Sequence, residues 1–148
     1  MKKEVDMYYS PLVLKASLIA YEAHKEDYDK GGYPYVMHPF YLAFGMEDEA
    51  EVCVALLHDV IEDHGDKVTF EMLEKEGFPA EIVDALRLLT HTQGVPYMDY
   101  VRAIGNDPLA RKVKIADIKH NTDTSRLDGK GTWKDDLYRE ALAYLTAL

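Results

Sequence analysis

Apolar residues along the chain recur at spacings of three and four, the period of a helix with one buried face, and no alternating β-branched run is long enough for a strand. Prolines, serines, threonines and aspartates stand where helices would start, and glycines where they would stop. The pattern predicts an all-α fold. A first helix is expected from a Ser10 cap and Pro11 to about His24, with Leu14, Leu18 and Tyr21 as its repeating apolar positions. The Gly-rich turn KGGYPYVMHP leads to a short segment near Phe40 that Gly45 stops. Further helices are expected at Asp48 to Ile61, Thr69 to Glu76 before Gly77, Pro79 to Leu89, and Pro96 to Ile104 before Gly105. Asp107 and Pro108 form a cap and first-turn pair for a helix reaching about Asn121. Thr132 with Asp135 resembles a capping box for a last helix, whose apolar face is Leu137, Ala141, Tyr144, Leu145 and Leu148.

One stretch breaks the rule that apolar segments stay apolar. In ALLHDVIED, residues 55–63, four polar groups interrupt a hydrophobic run. At about 100° per residue, His58, Asp59, Glu62 and Asp63 share an arc of roughly 140°, while Cys53, Leu57, Val60 and Ile61 take the other side. VKIADIKHN repeats the anomaly, because Lys114, Asp117 and Asn121 are three and four residues apart and project together. In PYVMHP, Pro34 and Pro39 restrain the backbone on both sides of His38. His38, His58, Asp59 and Asp117 then make a candidate metal site of two imidazoles and two carboxylates.

Electrostatics sharpens that reading. Burying one unpaired ion costs several kcal/mol, against a total stability of about 5 to 15 kcal/mol. Converging carboxylates are therefore either exposed or balanced by a cation. Mixed imidazole and carboxylate ligation suits manganese or iron better than a closed structural zinc.

The chain has 148 residues, enough for one domain around one core. With 17 basic and 27 acidic residues its formal charge is −10, which disfavours nonspecific binding to nucleic acid and to anionic membrane surfaces. An anionic substrate would need local positive charge from a metal or from residues such as Lys114. The single cysteine, Cys53, forms no internal disulfide and reads as a small core residue, which fits a reducing cytoplasm. LVLKASLIAY has a lysine inside it and acids before it, so it reads as a folded helix and not a signal segment. No apolar stretch is long enough to span a membrane.

The three elements PYVMHP, ALLHDVIED and VKIADIKHN, in that order, resemble the HD-domain metal-dependent phosphohydrolases, and most narrowly the hydrolase domain of the RelA/SpoT alarmone enzymes. The resemblance runs from about His24 to Asn121. It implies a single-domain HD helical bundle over 1–148 with a metal site between helices. It also implies that His38, His58, Asp59 and Asp117 bind manganese, that Glu62 and Asp63 activate or position water, and that Asn121 contacts a nucleotide substrate. The implied reaction removes the 3′-pyrophosphate of guanosine tetra- or pentaphosphate. A metal suits such chemistry because it lowers the pKa of bound water and neutralises phosphoryl oxygens. Two positions depart from the family pattern. Asp29, in DKGGYPY, stands where the family has a guanine-stacking arginine in RKSGEPY, and Asp123, in HNTD, stands where a basic residue follows HN, with Arg126 only later.

These departures keep other expectations open: another nucleotide or phosphorylated metabolite as substrate, or a regulatory module that binds without turnover. Lys114 has a plainer reading as a salt-bridge partner of Asp117, and Asn121 as a helix end. His24, His64, His91 and His120 read as structural or solvent-facing, and Tyr97 and Tyr100 as packing residues or pocket walls. No room is evident for an alarmone synthetase domain, and pairing into a homo-oligomer through an apolar face stays open.

Overall fold

The computed structural model describes residues 8–123 and 135–148. Among them are nine helices and no strand. Each start has a local cause. Ser10 Oγ accepts from the Val13 amide at 3.1 Å to open α1, Pro11–His24. Val36 precedes α2, Met37–Phe44, and Gly45 ends it. The Asp48 carboxylate accepts from the Glu51 amide at 2.9 Å to open α3, Glu49–Leu57, which is followed by α4, Val60–His64. Thr69 caps α5, Phe70–Lys75, and Gly77 closes it at φ +97, a left-handed backbone that favours glycine. Pro79 and Pro96 precede α6, Ala80–Leu89, and α7, Tyr97–Gly105. Asp107 caps α8, Pro108–Asn121, through the amides of Leu109 and Ala110. The last helix, α9, spans Asp135–Thr146. The expected Thr132 cap lies outside the described residues.

Helix α3 is the axis of the bundle. Val52 to Leu57 are all buried, and the helix lies against α1, α2, α6 and α8. A helix apolar all round must be surrounded, and this one is. Two kinds of expectation are corrected here, helix faces and a helix boundary. The first concerns α1, whose buried face is Val13, Ala16, Ala20, Ala23 and His24. Leu14, Leu18 and Tyr21 are 59%, 58% and 50% exposed. The small residues face inward because α1 packs close against α3, and alanines let two helix backbones approach. On α9 the buried positions are Ala141 and Leu145, while Leu137 and Leu148 are exposed.

The second correction is that Asp48 to Ile61 is not one helix. The chain turns at His58 and Asp59, between α3 and α4. His58 Nδ1 donates to the Ala55 carbonyl at 2.7 Å, a carbonyl that an unbroken helix would offer to the Asp59 amide. Asp59 adopts φ −108, ψ −2, the sparsely populated bridge region between helix and strand.

Candidate metal centre

The break at His58–Asp59 aims both side chains at the same point, which α2 and α8 close from the other sides. His38 comes from the first turn of α2, and Asp117 from the third turn of α8. One donor atom from each of His38, His58, Asp59 and Asp117 lies within 4.8 Å of the others. His38 Nε2 is 2.9 Å from Asp117 Oδ1 and 4.0 Å from Asp59 Oδ2. His58 Nε2 is 2.9 Å from Asp59 Oδ2 and 3.4 Å from Asp117 Oδ1. His38, His58 and Asp117 are buried, and Asp59 nearly so.

The donor set fits a divalent cation, and His58 carries the test. Its Nδ1–H is committed to the Ala55 carbonyl, so Nε2 is the nitrogen left facing the carboxylates. That nitrogen is buried and, despite its closeness to both aspartates, makes no hydrogen bond of acceptable geometry. It points between the carboxylate oxygens, where an ion would sit.

Each donor has a partner that orients it. The Tyr35 hydroxyl donates a short hydrogen bond to Asp59 Oδ2. Lys114 Nζ donates to Asp117 Oδ2 at 3.0 Å, and Asn121 Nδ2 donates to Asp117 Oδ1 at 2.9 Å. His120 lies 2.6 Å from His38, Nδ1 to Nδ1, and stacks on Tyr41 at 4.3 Å between centroids. The protonation states follow from these contacts. Burial works to lower the His58 pKa, but the Asp59 and Asp117 charges outweigh it and raise the imidazole well above its ordinary value. Burial likewise opposes ionisation of Asp117, and Lys114 and His58 overcome it, holding the carboxyl well below the usual range. The two aspartates thus favour positive charge at His58 Nε2, and Lys114 carries one beside Asp117. A divalent ion would take the place of the His58 proton.

Glu62 and Asp63, expected on the same helical wall, sit on α4 beyond the break and outside the four-residue cluster. The His91 amide donates to Glu62 Oε1 at 2.6 Å, tying α4 to the segment after α6. Both acids are solvent-exposed. Partial burial of the Asp63 carboxyl, then the Asp59 and Glu62 charges, raise its pKa to about 6. Lys114 pairs with Asp117 and also lies 5.2 Å from the centroid of the Tyr100 ring. Tyr100 is buried and donates to the Leu89 carbonyl at 2.7 Å, while the Tyr97 hydroxyl is buried without a hydrogen-bond partner. Asp29 Oδ1 accepts from the amides of Gly31 and Tyr33 at 2.9 and 3.0 Å, so this carboxylate shapes its own turn.

Sequence reasoning passed over Tyr35 and assigned His120 only a structural or solvent role. Both touch donors of the cluster. The available signal was their position inside PYVMHP and VKIADIKHN, where a group flanking a ligand is placed to orient it.

A helical bundle that gathers histidine, a His-Asp pair and a distant aspartate from three helices defines the HD class of metal-site domains. None of the protein-family models matches the chain. The guanosine-3′,5′-bis(diphosphate) 3′-pyrophosphohydrolase of Xenopus tropicalis is 31% identical over 143 residues, covering 87% of this chain and 78% of that protein. The chain belongs to the RelA/SpoT-type family of HD-domain guanosine-3′,5′-bis(diphosphate) 3′-pyrophosphohydrolases. Two longer bacterial relatives are similar over a domain-sized part. The enzyme of that same name from Haemophilus influenzae is 33% identical over 72% of this chain, and a probable GTP pyrophosphokinase of Mycobacterium leprae is 31% identical over 78%. The chain spans 18% and 16% of their respective lengths. Its fold is shared with the solved structure of a metazoan ortholog of SpoT that hydrolyzes ppGpp, with TM-score 0.69, 21% identity, and coverage of 95% of this chain and 88% of the other.

Proposed function

We propose that this chain is a metal-dependent phosphohydrolase that removes the 3′-pyrophosphate from guanosine 3′,5′-bis(diphosphate) in the reducing cytoplasm. The observation that carries the reading is the convergence of His38, His58, Asp59 and Asp117 in a chain of this family. Those four residues would hold the ion, which we assign as manganese from its mixed nitrogen and oxygen donors. The ion supplies positive charge for the phosphoryl oxygens, in a protein whose formal charge is −10.

The protein's own groups do the rest. Tyr35, His120, Lys114 and Asn121 hold the donors in place. Asp63, with a pKa raised to about 6, is ionised at neutral pH yet basic enough to take a proton from the attacking water. Glu62, fixed by the His91 amide, positions that water. Lys114 and Asn121 form the wall on the α8 side, from which a phosphate or ribose oxygen of the substrate is reached.

A second reading keeps the chemistry and changes the base, and one observation favours it. Asp29 occupies the place of the family's guanine-stacking arginine and spends its carboxylate on backbone amides. The test is pyrophosphate release by the purified, manganese-loaded protein from the alarmone and from a panel of nucleotides. Release from the alarmone at the highest kcat/KM is expected. No release from it rejects the first reading, and release from another nucleotide selects the second. Unchanged activity after substituting both Glu62 and Asp63 would remove their assigned roles.

A further inference from the structure

We propose that His24, Asp27 and His64 form a second binding site, for a borderline divalent ion of the zinc type. The trio shares no residue with the cluster of His38, His58, Asp59 and Asp117, and its donor atoms also lie within 4.8 Å of one another. His24 Nδ1 is 3.0 Å and His64 Nε2 2.5 Å from the same oxygen, Asp27 Oδ2. Two imidazoles and one carboxylate leave further coordination positions for water.

Several features favour a cation at this point. His24 and His64 are the last residues of α1 and α4, so the cluster sits where the ends of two helices meet. The His24 ring is wholly buried, and its Nε2 has no hydrogen-bond partner, so Nδ1 at this cluster is its polar attachment. Asp27 and His64 have side chains 33% and 17% exposed, which opens a route for the ion and its waters. The protonation states agree with the geometry: burial lowers the His24 pKa and keeps the ring neutral, while the bond to His64 holds the Asp27 carboxyl below its ordinary value. Among the described residues, the ion pairs of Asp27 come from the two histidines.

The position gives the ion a purpose. It would clamp the end of α1 to the end of α4, the helix that carries Glu62 and Asp63. The His24 ring also lies 4.9 Å from that of Tyr35, whose hydroxyl reaches Asp59, so the second site backs onto the first. The site shares no donor with the first cluster, so an ion can bind here whether or not the first is filled.

Cobalt(II) is the probe, because its visible spectrum reports each nitrogen-ligated ion. The unaltered protein is expected to bind two equivalents. His58→Asn with Asp59→Asn removes one, Asp27→Asn with His64→Gln removes the other, and the combined variant binds none. Asp27 and His64 are partly exposed, so the second pair of substitutions is expected to leave the fold intact, which circular dichroism checks. One equivalent in the unaltered protein, or no loss on substituting Asp27 and His64, overturns the proposal and leaves a hydrogen-bonded network only. Crystals soaked in zinc supply a measurement without variants: an anomalous peak between His24, Asp27 and His64 supports the site, and a peak at the other cluster alone overturns it.

Discussion

Asp63 is where chemistry and stability pull apart at the residue scale. Its folded-state pKa of about 6 lies above the ordinary 3.8, so folding favours the protonated form. Stability from this group is present below pH 3.8 and is lost as pH rises through 6, because the native state must then hold an unfavourable charge. Asp63→Asn is therefore expected to raise the denaturation midpoint at pH 7.5, with the gain shrinking toward pH 4, while hydrolysis collapses. Urea titrations at several pH values beside a pyrophosphate assay measure both; a variant that is active, or less stable at pH 7.5, contradicts the assignment. The unaltered enzyme should lose kcat/KM as pH falls to about 6 or lower, since a cation nearby favours the carboxylate and moves the limb down. His58 shows the same tension: its buried Nε2 makes no hydrogen bond, a cost consistent with a group kept for binding.

At the scale of elements, caps and stops were readable and faces were not. Ser10, Asp48, Thr69 and Asp107 act locally, through amides two or three residues away, and the structure has them at the expected starts. The face of α1 depended on which neighbour it meets. Leu14, Leu18 and Tyr21 satisfy the helical period as well as Val13, Ala16 and Ala20 do, and the close approach to α3 selects the smaller set. Two substitutions check this. Leu18→Gln should change stability by no more than about 0.5 kcal/mol, whereas Ala20→Leu should cost about 1 to 3 kcal/mol by overpacking. The reverse order, measured by chemical denaturation, would restore the face expected from periodicity. The turn between α3 and α4 was hidden for another reason: it is made by the His58 side chain capturing a backbone carbonyl, a competition that hydrophobic spacing does not register.

For the whole molecule, the ion is expected to act as a fastener, because its four donors come from α2, the α3–α4 junction and α8. Binding to the native state alone stabilises by about 2.7 kcal/mol at a free-ion concentration a hundredfold above Kd. Adding EDTA to the manganese-loaded protein should lower the thermal midpoint, and restoring manganese should recover it; an unchanged midpoint would mean that the cluster holds no ion. Among the described residues no helix is long and apolar enough to cross a membrane.

The chain's order of residues determined, by itself, the helical class, most of the helix starts, and the three polar interruptions that carry His38, His58, Asp59 and Asp117, because period, caps and motifs are properties of neighbours along the chain. Packing alone decided which side of α1 is inward, that Glu62 and Asp63 sit on a separate helix, α4, outside the four-donor cluster, and that His24, Asp27 and His64 meet. Asp27 and His64 are 37 residues apart, and no local rule links side chains at such a separation until the helices carrying them are packed.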